Sequence, residues 1–486
     1  MKMDDATIAV ADPAAQIHRQ NRVAHWDALA QARDTRKGLG GGYRRRLIEV
    51  YQYLVTPGLR VLELGCSQGD LLAALKPSIG VGVDFSGEML ARARERYPDL
   101  YFVQADAHEL VLDQVFDVII LSDLINDLWN VQTVFEHFRL QCHPRTRILL
   151  NFYSRLWEIP LRVAERLGLA KPTLQQNWLD VNDVANLLYL SGFEMMRHWN
   201  EVLWPGETPL VGPALNRFLV KLFPFRSLGL TNFVVARPMP VRDADGGSPR
   251  ISVIVPARNE AGNIEQLIRR VPEMGGGTEI IFVEGHSTDD TYEAIQQAIS
   301  RHPERSCRLL KQLGNGKGDA VRCGFAAATG DILTILDADL TVAPEDLPVF
   351  FEVLRSGSGD FANGVRLIYP RENNAMRMAN LIGNKFFGFA FSWMLGQRIK
   401  DTLCGTKTIW KKDYELLAAN RAYFGDFDPF GDFDLLFGAA KLSLKILDVP
   451  IRYRQRVYGT TNIQRWRHGL LLLRMVAFAA RRMKFI

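Results

Sequence analysis

Residues 60–75 read RVLELGCSQGDLLAAL, an apolar strand pattern that passes through a glycine-containing turn into a helical pattern. Gly65 and Gly69 would let the backbone of this turn approach a ligand closely, and the following helix would present its N-terminal amides. The next predicted strand ends at Asp84, where a carboxylate can accept hydrogen bonds from ribose hydroxyls. A third strand leads to Asp106, which can accept a hydrogen bond from the exocyclic amine of adenine. The stretch therefore predicts a nucleotide site in an α/β domain.

Short β-branched runs alternate with helical patterns on both sides of this stretch, which is typical of parallel α/β sheets. Two such segments are separated by residues 239–249, which are rich in Pro, Gly and charge and show no periodicity. We expect an N-terminal helical extension over 1–42, α/β domains over 43–238 and 250–465, a linker over 239–249, and a basic amphipathic helix over 466–486. Strands are predicted at 60–64, 81–84, 101–105, 116–122, 147–153, 193–199 and 232–238, and then at 251–257, 279–284 and 332–339.

The composition is that of ordinary globular cores. Of 486 residues, 47% are hydrophobic and 23% are charged, which excludes disordered and collagen-like chains. No run of 18 apolar residues predicts a spanning helix, and the acidic residues near the start do not fit a signal peptide, so we expect a cytoplasmic protein. The five cysteines form no C-x-x-C pair, so zinc and redox sites are not indicated.

Positive charge is concentrated near the C-terminus, where nine Lys and Arg residues and no acids follow Asp448. This distribution favours an anionic partner or contact with the inner face of a membrane, and it does not favour nucleic acid. If 464–485 form one helix, Arg467, Arg474 and Arg481 lie along one stripe. Such a helix would lie in a membrane interface or pack on the preceding domain with solvated arginines. Its apolar face would comprise Trp466, Leu470, Leu473, Ala477 and Ala480.

The second α/β segment carries chemistry where its strands end. Residues 314–318 read GNGKG, in which glycines expose backbone amides and Lys317 can meet a phosphate. Asp337 and Asp339 follow an apolar run, and strand alternation would place both carboxylates on one side. Two like charges so close repel each other, so a divalent cation would relieve the repulsion and assist the departure of a diphosphate.

The first segment resembles the class I S-adenosylmethionine-dependent methyltransferases through VLELGCSQGDLLAAL, GVGVDFSGEMLARAR, FVQADAHEL and FDVIILSDLI, which all lie within about residues 43–237. The resemblance implies a Rossmann-like domain. One departure is Ser67, which stands where the family often has a glycine. Asp123, Asn126 and Asp127 follow the fourth strand and would either face an acceptor or serve as solvated or capping residues. The residues implied to bind S-adenosyl-L-methionine are Gly65, Gly69, Asp84 and Asp106.

The second segment is similar to glycosyltransferase family 2 and its GT-A fold over about residues 250–465, through VIVPARNE, HSTDDT, GNGKGDA, DADL, DTLCGTK and YGTTN. Within that family it resembles the dolichyl- and polyprenyl-phosphate sugar synthases. The resemblance implies inverting transfer from a nucleotide diphosphate sugar, with Mg²⁺ or Mn²⁺ held by Asp337 and Asp339. The family usually has two adjacent Asp residues where this chain has Glu284 and Gly285. The residues implied to bind the nucleotide sugar are Pro256, Ala257, Glu260, Glu284, Lys317 and Asp337.

The nature of the acceptor decides whether the glycosyl transfer needs a base. A polyprenyl phosphate is already an anion near neutral pH and needs only cations that position it, whereas a hydroxyl must lose a proton. The resemblance assigns the phosphate contacts to Arg366, Arg377 and Arg456. For a sugar or lipid hydroxyl, Asp432 or Asp434 is the candidate base.

The sequence thus predicts a bifunctional enzyme of surface glycan or glycolipid assembly. In the leading hypothesis, a methyltransferase domain precedes a metal-dependent glycosyltransferase that acts on a polyprenyl-phosphate-type acceptor. In the alternative, the sugar passes to a hydroxyl of a glycan or lipid, and the first domain only binds S-adenosyl-L-methionine or acts as a scaffold.

Overall fold

The computed structural model describes residues 13–31, 41–167, 173–240, 247–368, 378–420, 432–456, 458 and 473–485. The chain separates into two compact units, the first formed mainly by Met1–Met239 and the second by Pro240–Phe485. Within the described residues, each unit contains one seven-stranded sheet. The two mixed α/β sheets confirm the predicted fold class.

The first unit contains seven strands among its described residues. Its strands are β1 (Arg60–Leu64), β2 (Ile79–Asp84), β3 (Tyr101–Gln104), β4 (Phe116–Ser122), β5 (Cys142–Tyr153), β6 (Phe193–Glu201) and β7 (Thr231–Pro238). Its helices are α1 (Pro13–Gln31), α2 (Gly41–Leu54), α3 (Asp70–Ala74), α4 (Gly87–Arg96), α5 (Val131–Phe138), α6 (Glu158–Arg166), α7 (Val181–Leu190) and the single turn α8 (Val211–Pro213).

The sheet of the first unit has the order β3-β2-β1-β4-β5-β7-β6. Strands β1 to β5 are parallel, and β7 runs antiparallel to both β5 and β6. Helices cover both faces, so the central strands are buried on both sides and read as continuous apolar runs such as the VIIL of β4. Because β1 to β5 are parallel, their carboxyl ends meet at one edge, where ligands of open α/β sheets bind.

The second unit contains seven further strands. They are β8 (Ile251–Ala257), β9 (Thr278–Glu284), β10 (Ser306–Lys311), β11 (Ile332–Ile335), β12 (Phe361–Val365), β13 (Lys407–Trp410) and β14 (Ile446–Pro450). The helices are α9 (Ile264–Arg270), α10 (Thr291–Arg301), α11 (Lys317–Ala327), α12 (Leu347–Arg355), α13 (Met378–Leu395), α14 (Lys411–Ala419) and α15 (Asp432–Lys441). The sheet order is β10-β9-β8-β11-β13-β12-β14, with β13 antiparallel to both of its neighbours.

One strand of the second unit is shorter than the sequence predicts. The pattern of 332–339 predicts a strand through Asp339, but β11 ends at Ile335. Leu336 still donates its backbone N–H to Ile254, 2.9 Å away, and the chain then leaves the sheet. Strand alternation therefore does not place Asp337 and Asp339 on one side, and that part of the argument was wrong. Their positions are set by side-chain partners described below.

The C-terminal helix is described only from residue 473 onward. Its buried side chains are Met475, Ala479 and Met483, one face of a helix with a four-residue repeat, and Arg474 and Arg481 are exposed. The rings of Phe485 and Trp393 of α13 lie 5.7 Å apart in an edge arrangement. The segment thus packs on its own unit through a face that differs from the Leu473, Ala477 and Ala480 face predicted from the sequence. No helix within the described residues has the length and hydropathy needed to cross a bilayer.

Candidate functional site

The glycine turn after β1 has the backbone conformation that a ligand loop requires. Gly65 and Gly69 have φ of 71° and 78°, and Ser67 between them has φ of 49°, which is uncommon for a residue with a Cβ. The loop is tied to the next strand, because the backbone amides of Gly65 and Cys66 both donate to Val83, at 2.8 and 3.1 Å. The backbone at this edge is therefore bent so that the loop passes over the end of the sheet.

Asp84 braces the loop with both of its carboxylate oxygens. Oδ2 accepts the backbone N–H of Ser67 at 2.9 Å, and Oδ1 accepts that of Ser86 at 2.9 Å. Burial raises the pKa of Asp84, although these backbone hydrogen bonds favour its ionised form. Ser86 also caps α4, since its Oγ accepts the backbone N–H of Met89 at 3.2 Å. Asp84 lies where the sequence predicts it, at the end of β2.

Asp106 lies at the same edge, beyond β3. Its Oδ1 accepts the backbone N–H of His108 at 2.9 Å and lies 2.6 Å from the Nδ1 of that ring. Burial opposes ionisation of Asp106, but the hydrogen bonds from His108 and the charges of His108 and Arg19 outweigh it and lower its pKa. The structure therefore brings together Gly65, Asp84 and Asp106 in the lining of one cleft, and Gly69 belongs to the same loop as Gly65.

Helix α1 forms one wall of this cleft, and the sequence did not predict this role for it. Arg19 lies 3.3 Å from Asp106, and the hydroxyl of Ser86 donates to Asp27 at 2.5 Å. Arg22 donates to the backbone oxygen of Gln175 at 2.5 Å. The helix was predicted only as an extension, because no motif in residues 13–31 indicates a ligand, and these contacts join residues far apart in the sequence.

The three polar residues after β4 have different environments. Asp123 lines the cleft, and its Oδ1 accepts hydrogen bonds from Tyr43 and Asn151. Asp127 also lines the cleft and lies 3.5 Å from Arg22. Asn126 is fully buried; its Oδ1 accepts the backbone N–H of Tyr153 at 3.1 Å, and its amide donates to Asn177. Asn126 thus fixes the loop, whereas the two aspartates face the cavity.

In the second unit, Asp337 forms an ion pair with Lys317, whose Nζ lies 2.6 Å from Oδ1. Lys317 is the first residue of α11 and follows Gly316, which has φ of 86°. Burial opposes ionisation of Asp337, but the charges of Lys317, Lys407 and Arg366 outweigh it and hold its pKa below the ordinary value. The carboxylate is therefore kept ionised at the end of β11.

Asp339 and Glu260 share one arginine. Arg456 donates to Asp339 Oδ2 at 2.5 Å and to Glu260 Oε1 at 3.3 Å. The other oxygen of Asp339 accepts the backbone N–H and the hydroxyl of Thr341, at 3.1 and 2.7 Å. Burial and the nearby charges of Asp339 and Asp337 raise the pKa of Glu260 to about 7, although Arg456 opposes this. These side chains form the acidic cluster, defined as Glu260, Asp337 and Asp339.

The predicted nucleoside residues Pro256, Ala257 and Glu284 lie at the ends of β8 and β9. Glu284 Oε1 accepts the backbone N–H of Ser287 at 2.6 Å, so this carboxylate turns back onto its own loop. Gly285 donates its backbone N–H to Ala257 at 2.9 Å, and a Cβ there would meet only the end of the Gln312 side chain at less than 3.0 Å. Nothing in the packing of this loop explains why Glu-Gly stands in place of two aspartates.

The residues predicted for the acceptor are dispersed. Arg366 is held by Asp401 in a buried bidentate pair, with Nε and an Nη at 2.7 and 2.8 Å from the two oxygens. Asp434 is buried in α15. The side chain of Asp432 and the whole of Arg377 lie outside the described residues. Of the two described arginines in this set, Arg456 donates directly to the acidic cluster, and Arg366 contributes positive charge near Asp337.

Comparisons with known proteins match a segment of each unit to a family model. Residues 252–416 match the family model "Glycosyl transferase family 2", and residues 61–144 match the model "Methyltransferase domain". The chain combines a methyltransferase domain with a family 2 glycosyltransferase domain. The two units are called the methyltransferase unit and the glycosyltransferase unit from here on.

Individual relatives match parts of the chain. A dolichol-phosphate mannosyltransferase from Pyrococcus furiosus is 37% identical over 121 residues, 24% of this chain and 34% of that protein. An undecaprenyl-phosphate 4-deoxy-4-formamido-L-arabinose transferase from Edwardsiella ictaluri is 32% identical over 111 residues, 22% of this chain and 34% of that protein. This chain thus spans about a third of the length of these curated relatives. A solved S-adenosylmethionine-dependent methyltransferase from Mesorhizobium loti is 23% identical, with 41% of this chain and 100% of that chain covered and a TM-score of 0.32.

Two further residues of the glycosyltransferase unit lie next to Asp337 of the acidic cluster, and the sequence did not assign a role to either of them. Gly405 lies so close to the Asp337–Lys317 pair that a Cβ at this position would overlap both side chains. Lys407 is buried, donates to the backbone oxygen of Cys404, and contributes positive charge near Asp337. The motif DTLCGTK was visible in the sequence, but nothing in it indicates which of its residues approaches Asp337.

Proposed function

We propose that the glycosyltransferase unit transfers a sugar, with inversion, from a nucleotide diphosphate sugar to a polyprenyl phosphate. The observation that carries this proposal is the acidic cluster with its cations Lys317 and Arg456 at the carboxyl ends of β8 and β11. Carboxylates and cations together can hold a metal ion and an anionic leaving group in one place. The printed names of the two matched relatives supply the acceptor class by similarity.

On the donor side, we assign the nucleoside to the loops after β8 and β9, with Pro256, Ala257, Glu260 and Glu284. Lys317 would approach the diphosphate, because it lies at the start of α11, where backbone amides also favour an anion. Since Glu284 is engaged by its own loop, we expect it to shape the nucleoside pocket through that loop.

The acidic cluster fits a divalent cation that is shared with substrate. Among the described residues, no three His, Cys, Asp or Glu side chains are grouped so as to hold a metal ion by themselves. Mg²⁺ is commonly held by one or two carboxylates together with substrate phosphates, which is what Asp337 and Asp339 can offer. When bound, Mg²⁺ or Mn²⁺ would neutralise charge on the departing diphosphate. Asp337 is already kept ionised by its neighbours, as a ligand must be.

On the acceptor side, we assign the lipid phosphate to Arg456. Arg366 is the less accessible of the two described arginines, because its side chain is 11% exposed in a bidentate pair with buried Asp401, whereas that of Arg456 is 29% exposed. Arg377 remains a candidate on sequence grounds alone. A phosphate acceptor needs no base, so Asp432 and Asp434 would matter only for transfer to a hydroxyl. The rate of sugar transfer by Asp434→Asn therefore distinguishes the two acceptor classes, because the substitution should matter only for a hydroxyl acceptor.

Contact with the inner face of a membrane follows from a lipid acceptor. Phe386 and Phe389 on α13 are exposed by 52% and 75%, and their spacing of three residues brings the two rings to one side of the helix. The helical turn 480–484, with exposed Arg481 and Arg482, packs against the same helix. Apolar rings beside cations match the interface of an anionic bilayer. Co-sedimentation with anionic vesicles should fall for Phe389→Ser, and equal binding of both forms would remove this contact.

For the methyltransferase unit, we propose S-adenosyl-L-methionine as methyl donor, bound by Gly65, Gly69, Asp84 and Asp106. The fold and the family model support this assignment, and the cleft lined by Gly65, Asp84 and Asp106, with Gly69 in the same loop, is the proposed location. A unit that only binds the donor as a sensor or scaffold is the alternative. Calorimetry with the donor, followed by a methyl-transfer assay, separates the two.

The decisive experiment on sugar transfer uses the full chain with UDP-, GDP- and dTDP-sugars and Mg²⁺ or Mn²⁺. Nucleotide release is followed with and without a short polyprenyl phosphate. Release should depend on the lipid phosphate and be lost in Asp339→Asn, while the exposed acid variant Glu352→Gln serves as the matched control. Nucleotide release that does not depend on the lipid phosphate but requires a sugar hydroxyl would favour the alternative acceptor.

A further inference from the structure

The cleft of the methyltransferase unit is larger than a methyl donor needs. Its volume is about 2610 Å³, whereas sites for one small molecule usually measure about 300–1,000 Å³. One side is formed by the glycine loop and Asp84, which we assign to the donor. The other side is formed by residues that no donor contact requires, among them Asp123, Tyr153 and Trp157. The cavity therefore has room for a second molecule beside the donor.

Asp123 is held rigidly at this second side. Its Oδ1 accepts the hydroxyl of Tyr43 at 2.7 Å and the amide of Asn151 at 2.5 Å. Asn151 is itself fixed, since its Oδ1 accepts the hydroxyls of Tyr51 at 2.8 Å and Ser122 at 2.9 Å. The backbone φ of Asp123 is 52°, a left-handed conformation that aspartate tolerates and that clusters at functional sites. The hydroxyl of Tyr43 and the amide of Asn151 thus fix the orientation of the Asp123 carboxylate.

The groups around Asp123 are mostly uncharged. Tyr43 and Tyr51 face it from α2 and Tyr153 from β5, while Asp127 is the acidic neighbour and is itself paired with Arg22 of α1. Burial, with a smaller contribution from Asp127, raises the pKa of Asp123 to about 7, and the hydrogen bonds from Tyr43 and Asn151 oppose the rise. A carboxylate with this pKa can take up a proton near neutral pH, unlike an exposed aspartate.

Aromatic rings line the same cleft as this carboxylate. Tyr153 packs against Tyr43 with ring centroids 5.9 Å apart, and Trp157 is held by a 2.9 Å hydrogen bond from its indole N–H to Leu228. Trp26 and Trp178 line the same cleft. Rings offer flat apolar faces with polar edges. A pyranose presents the matching surface, because its C–H faces are apolar and its rim carries hydroxyls.

From this geometry we propose that Asp123 is the general base for O-methylation of a carbohydrate hydroxyl. The inference depends on the proposed use of S-adenosyl-L-methionine. The acceptor oxygen forms a bond to the methyl carbon while the bond from that carbon to sulfur breaks, and its electron pair stays on sulfur. The hydroxyl proton passes to Asp123. Tyr43 and Asn151 act as positioning residues, because they orient the carboxylate without touching the acceptor oxygen.

The test uses the full chain, S-adenosyl-L-methionine with a labelled methyl group, and the methyl glycosides of glucose, mannose and rhamnose as probes. We expect label to enter at least one glycoside. Asp123→Asn should lower kcat by about 10²- to 10⁴-fold, the usual contribution of a general base, and should leave donor affinity by calorimetry within twofold. Asp113→Asn, an exposed aspartate of the same unit, is the matched control and should not change the rate.

Tyr43→Phe tests the positioning role separately. It removes a hydrogen bond that favours the ionised carboxylate, so the inflection of the rate against pH should move to higher pH while some activity remains. A protein that only lost its fold would lose rate at every pH.

Three results would overturn the inference. Asp123→Asn could retain the rate within threefold, the three glycosides could stay unlabelled while the donor binds, or methyl glucosaminide, added as a fourth probe, could be the only one labelled, with the label on its nitrogen. Failure of calorimetry to detect donor binding would instead refute the proposed function itself.

Discussion

The substitution Asp123→Asn should make the methyltransferase unit more stable at alkaline pH. In the folded chain burial raises the pKa of Asp123 from its ordinary value of 3.8 to about 7. The folded state therefore binds this proton more tightly than the unfolded state does, so ionising Asp123 destabilises the fold. The penalty is absent below about pH 4, grows as the pH rises from 4 to 7, and is complete above 7.

The difference between 3.8 and about 7 corresponds to about 4 kcal/mol, at roughly 1.4 kcal/mol per pKa unit. Asparagine carries no charge, keeps an oxygen that can accept from Tyr43 and tolerates a φ of 52°. The free energy of unfolding of Asp123→Asn should therefore exceed that of the original chain by about 4 kcal/mol at pH 8. At pH 4 the two should agree within about 1 kcal/mol, because most of the carboxylate penalty has vanished there.

The measurement is urea-dependent hydrogen exchange of the full chain, read from peptides of β4 and β5. Peptides of β8 in the glycosyltransferase unit provide the internal control, and Asp113→Asn the control substitution. A stability gain that is equal at pH 4 and pH 8, or a loss at pH 8, would refute the reasoning. The first result would mean that Asp123 is not the group that titrates, and the second that its charge is matched by a partner.

Three further outcomes follow from the glycosyltransferase unit. Gly405→Ala should lower nucleotide release by about 100-fold, because the added Cβ would displace the carboxylate of Asp337 and the ammonium of Lys317. Gly383→Ala is the control and should not change the rate, because the space around Gly383 is open. Equal rates for the two variants would show that the Asp337–Lys317 pair is not part of the site. Asp401→Asn should lower the free energy of unfolding in urea by about 3–5 kcal/mol because it leaves Arg366 buried and unpaired, and a loss no larger than that of Glu352→Gln would contradict this. Excess chelator should stop nucleotide release and Mn²⁺ restore it; undiminished turnover in chelator would exclude the metal.

The sequence predicted the central strands well because their signal is local. Strands β1, β4 and β8 were predicted with their observed bounds, since a buried parallel strand is a continuous apolar run between turns. The strands missed were β10, β12, β13 and β14. The short β13 reads KTIW, and its place between β11 and β12 depends on pairings with distant segments, which a local pattern does not contain.

For the candidate sites, too, the sequence predicted local features and missed those that depend on distant segments. Asp84 and Asp337 were found because each lies at or near the end of a predicted strand, although the observed β11 ends two residues before Asp337. The partners that decide their chemistry come from elsewhere in the chain: Arg456 is 196 residues from Glu260, and Tyr43 is 80 residues from Asp123. These pairings follow from the fold and not from any local motif. The sequence therefore predicted which residues lie at the sheet edges, and only the structure could supply their charge state.

Asp123 and Asp337 show how neighbours determine what an aspartate can do. Both are removed from water, which by itself raises the pKa of a carboxyl group. Around Asp337 the ammonium groups of Lys317 and Lys407 outweigh this effect, so the carboxylate stays charged and suits a metal ion. Around Asp123 the neighbours are a phenol and an amide, which stabilise the charge less, so the group can accept a proton. A phosphate acceptor needs no base and a hydroxyl acceptor needs one, so the two proposed reactions call for these two different environments.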